Sequence, residues 1–222
     1  MKNNLRRIIA VAAALLMVLS VMTGCSSKPK AEDATAYVKA MLDLMCTGDY
    51  DHSVKLADIE EGKETAMRDE LINSALTEVA GTAGIDEETT NMFKDFIIKA
   101  LGKAKYTVGE ATATDDGGFD VKVTVEPLRL YDGVMEDFQK QMPDILGYDY
   151  NQLSAMSEAE LNNVIFKALF KYMDERLENP TYADPQEVVV HYGLLDEEKN
   201  VYGASEADGE KVGSLLFSQE GL

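Results

Sequence analysis

The chain reads as an α+β domain, a layered fold in which helices cover an antiparallel sheet. Three observations predict it. Apolar residues recur at helical spacing from Asp33 to Leu101, and the period then drops to two around a glycine-rich turn at Asp115–Gly118. Helical spacing returns from Asp132, and a second alternating pair follows at Glu187–Ser205. With 45% apolar residues, the chain has the material for a packed core. It shows no internal repeat and no low-complexity run.

The first helix is predicted over Asp33–Met45, where Tyr37, Val38, Met41, Leu42 and Met45 share a face and Gly48-Asp49 ends the run. Tyr50–Ala57 is predicted to be a short second helix. Glu64–Ala80 carries Met67, Leu71, Ile72, Ala75, Leu76 and Val79 on one stripe, with Gly81 and Gly84 as breakers. Asp86 is a good N-cap for a fourth helix, and Glu87 and Glu88 favour its positive end. Met92, Phe93, Phe96, Ile97, Ala100 and Leu101 supply its buried side, and Gly102 closes it.

Lys105–Thr114 alternates loosely, and Asp115-Asp116-Gly117-Gly118 has tight-turn chemistry. Phe119, Val121, Val123 and Val125 then face one way, while Asp120, Lys122, Thr124 and Glu126 face the other. Helices follow at Asp132–Leu146, with Pro143 breaking or kinking the last turn, and at Ser157–Leu177. Ser157 and Glu160 match a capping box there, ahead of an apolar face of Leu161, Val164, Ile165, Ala168, Leu169, Tyr172 and Met173. Val188-Val189-Val190, inside a strand at Glu187–Leu195, predicts cover on both faces of the sheet. Val201–Ser205 is a short strand, and Glu206–Phe217 a last helix.

The start of the chain carries an address. Lys2, Arg6 and Arg7 precede Ile8–Val21, an apolar run whose one polar residue is Ser20. That run has signal-peptide length and is short of the roughly 20 residues that span a bilayer. Met22-Thr23-Gly24-Cys25 follows, and the quartet resembles the bacterial lipobox. The resemblance implies cleavage before Cys25 and acylation of its thiol, a palmitate-bearing anchor on the outer face of the cell membrane. Two or more acyl chains hold a protein durably at a bilayer. Residues 1–24 thus read as a lipoprotein signal peptide, 25–33 as the lipidated N-terminus and polar linker, 34–217 as the domain, and 218–222 as a tail.

Charge and residue inventory narrow the chemistry. The leader holds three of the 21 Lys and Arg and none of the 40 Asp and Glu, so the rest of the chain is more acidic than the overall −19. Such a surface repels nucleic acid, which is set aside as a partner. With Cys25 acylated, Cys46 has no partner for an intrachain disulfide, and its place at the end of an apolar stripe makes it a buried thiol. Two histidines, His52 and His191, do not supply a three-ligand zinc site, and Asp196-Glu197-Glu198 lacks calcium-loop spacing. No phosphate loop or nucleophile elbow is present, so the sequence assigns no catalytic set, no metal and no cofactor.

Three stretches carry a further resemblance. They are Tyr37-Val38-Lys39-Ala40-Met41-Leu42 through Thr47-Gly48-Asp49-Tyr50, Lys105-Tyr106-Thr107-Val108 through Val121-Lys122-Val123-Thr124-Val125, and Asn200-Val201-Tyr202 before Asp208-Gly209-Glu210-Lys211-Val212-Gly213. Together they resemble NTF2-like (cystatin-like) domains of uncharacterised bacterial lipoproteins. The resemblance implies a curved antiparallel sheet wrapping a long helix and leaving a cone-shaped pocket, with a helical insertion at 132–178. It also implies a pocket in which Tyr106 and Tyr131 sit with His191. Two roles stand at this point. One is a tethered binding or accessory module for a small molecule, a peptide or an envelope protein. The other is a small hydrolase or isomerase in which His191 and a carboxylate act as base. An envelope spacer or immunity-type protein working by surface contact is a third, and oligomeric state is not fixed by the sequence.

Overall fold

The computed structural model describes residues 23–24, 28–54, 56, 59, 62–134, 136–138, 140, 147–148, 150–198 and 200–218. The basic start, the apolar run Ile8–Val21, Met22, Cys25 and Pro143 lie outside the described residues. The elements are β1 (Thr23–Gly24), α1 (Ala31–Thr47), α2 (Glu64–Ala83), α3 (Glu87–Leu101), β2 (Lys105–Ala113) and β3 (Phe119–Glu126). They continue with α4 (Tyr150–Ala155), α5 (Glu158–Arg176), β4 (Gln186–Asp196), β5 (Val201–Ala204) and α6 (Glu206–Leu216). Short helical stretches also include Val134 and Phe138.

The fold is α+β, an antiparallel sheet packed on helices. Its strand order is β1-β5-β4-β3-β2, every neighbouring pair antiparallel. Register follows the valines. Val121 pairs with Val190 and Val123 with both Val108 and Val188, which puts one row of apolar side chains on the inner face. Val121, Val123 and Val125 are fully buried there. α1 lies across that face, touching β2, β3, β4 and β5, and α6 covers β3 and β4 beside it.

α1 begins at Ala31, two residues before the sequence-based start, because Asp33 accepts the backbone N–H of Lys30 at 2.8 Å and caps the first turn. It ends where Gly48 turns left-handed at φ 81°, its N–H bonding Leu44 O at 2.8 Å. A side chain at 48 would also meet the Arg68 guanidinium at 2.7 Å. The short helix expected at Tyr50–Ala57 is not present among the described residues. Asp49 and Asp51 accept the N–H groups of Tyr50 and Ser53 at 2.8 and 2.9 Å, so local side chains hold the backbone in turns. Gly81 does not break α2, which runs on until Gly84 takes φ 65°. A glycine inside a helix costs only about 1 kcal/mol, and neighbouring turns carry it.

The two remaining caps form as their residues predict. Asp86 accepts Thr89 N–H, and Ser157 and Glu160 cap reciprocally. α5 departs from its expected face. Leu161, Val164, Ile165 and Tyr172 are only half-buried, while Phe166 and Phe170 are buried at 3% and 2% exposure. The reason is aromatic packing with α3: Phe170 stacks on Phe93 at 4.7 Å with planes 1° apart, and Phe96 and Phe166 pack around it. α5 therefore forms a second helical layer on α3 and not a cover for the sheet.

The cover predicted on both faces of β4 is also corrected. Val190 is 4% exposed, but Val189 is 46% exposed. Among the described residues, helices occupy one face, so the alternate residues of β4 look outward. Truncating Phe170 to Ala should cost about 3–5 kcal/mol, the range for a buried aromatic, read as a lowered urea midpoint with unchanged slope. A loss comparable to a surface substitution would contradict the α3–α5 stack.

Candidate functional site

The residues expected to share one pocket lie in three places. Tyr106 pairs with Val125, an inner-face residue, and Asp120 pairs with His191 on the other face. Side chains alternate along a strand, so Tyr106 and His191 project from opposite faces of the sheet. Tyr131 follows β3 and is 1% exposed. Its hydroxyl has no hydrogen-bond partner among the described residues, and burial pushes it above the ordinary tyrosine range. It is core and reaches neither of the others.

The cone is filled. Between α1, α6 and the sheet remains a void of about 20 Å³, bounded by Val38, Met41, Leu42, Val190, Ala204 and Val212. That is room for a single water at most. Bulky side chains on α1 take the volume a ligand would need.

Open space lies instead at the two ends of the helix–sheet layer. The larger groove, about 650 Å³, runs beside α1 at the β2 edge and falls in the range of small-molecule sites. Its floor includes Leu101, Val108 and Cys46, and its polar groups converge from Lys39, Asp43 and Tyr106. Tyr106 donates its hydroxyl to Asp43 Oδ1 at 2.7 Å, and Lys39 bonds Asp43 Oδ2 one helical turn away. Burial, the Cys46 thiol and Asp43 together keep the Tyr106 hydroxyl protonated far above neutrality. Burial first, then Asp43, pushes Cys46 up to about 12, so it is a thiol and not a nucleophilic thiolate. Lys39 and Asp43 were not singled out from the sequence. Their signal is an i, i+4 charge pair beside an apolar stripe, which ordinarily marks a solvated helix face.

The second groove, about 450 Å³, opens around His191. Its ring meets Asp120 Oδ1 from Nδ1 at 2.9 Å and Asp116 Oδ2 from Nε2 at 3.3 Å. It lies against Gly118 and Gly193, where a Cβ would come within 2.8 and 2.6 Å of ring atoms. Nδ1 is bonded to Asp120, Nε2 faces the exposed carboxylate of Asp116, and the ring is wedged between backbone. The arrangement fixes the β2–β3 turn to β4. Asp116 is held below the usual carboxylate range by bonds from Thr114 and the Gly118 N–H. His52 sits apart, near Asp49 and Glu64 at 3.5 and 3.4 Å. Among the described residues, no cluster of three or more His, Cys, Asp and Glu has the geometry to hold a metal.

No family model matches the chain, and no curated protein matches it in sequence. In fold it is similar to a candidate lipoprotein (ycdA) of Bacillus subtilis, with a TM-score of 0.53 and 15% identity over 84% of this chain and 56% of that one. At that identity the likeness concerns the fold alone, and the chain spans little more than half the length of that protein. No described helix is long and apolar enough to cross a membrane.

Asp208 ties the His191 groove to α6. Burial pushes its carboxyl up, but bonds from Lys211 and Ser205, joined by a backbone bond from His191, outweigh burial and hold it below the usual range. A carboxyl depressed in the folded state stabilises the fold above its unfolded value of about 4, and that stability fades as pH falls through the folded value. Acid titration of the melting temperature should therefore show a steep loss below pH of about 4 that is shallower in Asp208→Asn. Identical acid slopes in both proteins would contradict this role.

Proposed function

We propose that this chain is exported, cut before Cys25, acylated there, and displayed outside the cell as a binding or accessory module with an NTF2-like (cystatin-like) domain. The leader residues and lipobox quartet support the address, and the fold likeness to a candidate lipoprotein agrees with it. The observation that carries the binding role is the α1–β2 groove. It is large enough for a small molecule, it is apolar on its floor, and Lys39, Asp43 and Tyr106 meet at one end. An amphipathic small molecule suits it, with a hydrogen-bonding end at Asp43 and Lys39 and an apolar body over Leu101 and Val108. The second reading is a small hydrolase or isomerase using His191 and a carboxylate, supported by the 2.9 Å contact of His191 with Asp120 beside the groove at the opposite end of the strands.

Native mass spectrometry of detergent-extracted protein tests both parts. The acylated chain should carry a further bound mass, and Tyr106→Phe together with Lys39→Ala should weaken its retention by about tenfold, the effect of roughly 1.4 kcal/mol. Acylated chain alone, with a melting temperature unmoved by exhaustive dialysis, rejects the binding role. Unacylated Cys25 rejects the address.

A further inference from the structure

Lys28, three residues after Cys25, lines the His191 groove. Three residues of chain reach about 11 Å at most, so an anchor at Cys25 is tethered within that reach of Lys28 once cleavage removes β1. The groove end of the sheet carries the β2–β3 turn and the β4–β5 connection, because Phe119 pairs with Tyr192 and Leu194 with Tyr202. Leu194 and Leu195 project there, 46% and 43% exposed, adjacent in sequence and both on the groove wall. They follow the last core residues of β4, and a bulge between Leu194 and Asp196 turns the strand end outward.

We infer that this end of the sheet is the foot of the tethered domain, and that Leu194 and Leu195 rest on the bilayer at headgroup level. The inference depends on acylation of Cys25. A linker this short leaves the domain little freedom to stand away from the membrane, and two exposed leucines facing it gain by leaving water. Charge sets the preferred lipid. Asp115, Asp116, Asp196, Glu197 and Glu198 crowd the same end, with Lys28 as the nearby cation on the groove wall. Anionic headgroups repel such a rim, so contact is closest on a zwitterionic surface. The α1–β2 groove, at the other end of the strands, is then held away from the membrane and open to its ligand.

The chain contains no Trp, so one introduced residue reports its own surroundings. The acylated protein is reconstituted into phosphatidylcholine vesicles doped with a headgroup-level spin-labelled quencher. Three variants are compared: Leu195→Trp, Leu194→Trp, and Glu187→Trp, which lies eight residues back along β4, about 26 Å away. Emission from positions 194 and 195 should be quenched several-fold more than from 187, and the difference should shrink as phosphatidylglycerol replaces phosphatidylcholine. The two leucine variants check one another against local misfolding. Equal quenching at all three positions, or stronger quenching at 187, overturns the inference. So does shielding of 194 and 195 within a dimer that sediments as such in detergent, which would assign the leucines to a second copy. A chain without acyl mass that fails to float with vesicles removes the anchor and the inference with it. An acylated chain that floats but shows no preference for 194 and 195 rejects the inference alone.

Discussion

The structure depends on α1 lying across the inner face of the sheet. Tyr37, Val38, Met41, Leu42, Leu44 and Met45 on that helix are buried, and Val121, Val123, Val125 and Val190 meet them from the strands. Each such side chain contributes about 1.5–3 kcal/mol on leaving water, offset by the conformational entropy lost on ordering. Cys46, the described cysteine, is a free thiol inside this layer, so packing carries the load that a cross-link carries in many small exported domains. The outer helices lean on this unit: α2 and α3 pack on α1, and α5 on α3.

That constraint also decides where chemistry has room. A helix with small side chains would leave a cone open. Here Met41, Leu42 and Val212 close it, and among the described residues two larger grooves lie at the ends of the packed layer. One end holds polar groups that answer to each other across α1 and β2. The other holds His191, bonded to Asp120 and wedged between Gly118 and Gly193.

Much of the fold was legible because its signals are local. The caps at Asp86 and Ser157, the turn at Gly117 and the valine alternation in β3 each depend on a few neighbouring residues. What was not legible depends on contacts between distant parts. The burial of Phe170 is set by Phe93 and Phe96, more than 70 positions earlier. The exposure of Val189 depends on which face the helices chose. Tyr106, Tyr131 and His191 are each plausible pocket residues, but strand parity and a filled cone, neither readable from spacing, keep them apart. The same holds for the groove itself. Asp43 is an ordinary helix-surface residue until β2 brings Tyr106 against it.

Native-state hydrogen exchange tests the central claim most directly. If α1 and β3 form one packed unit, the slowest amides of Leu42 and Leu44 should exchange with the same free energy as those of Val121 and Val123, equal to the free energy of global unfolding. Amides of α1 that open well below that value, while β3 stays protected, would show a sheet that stands without its helix and would contradict the account.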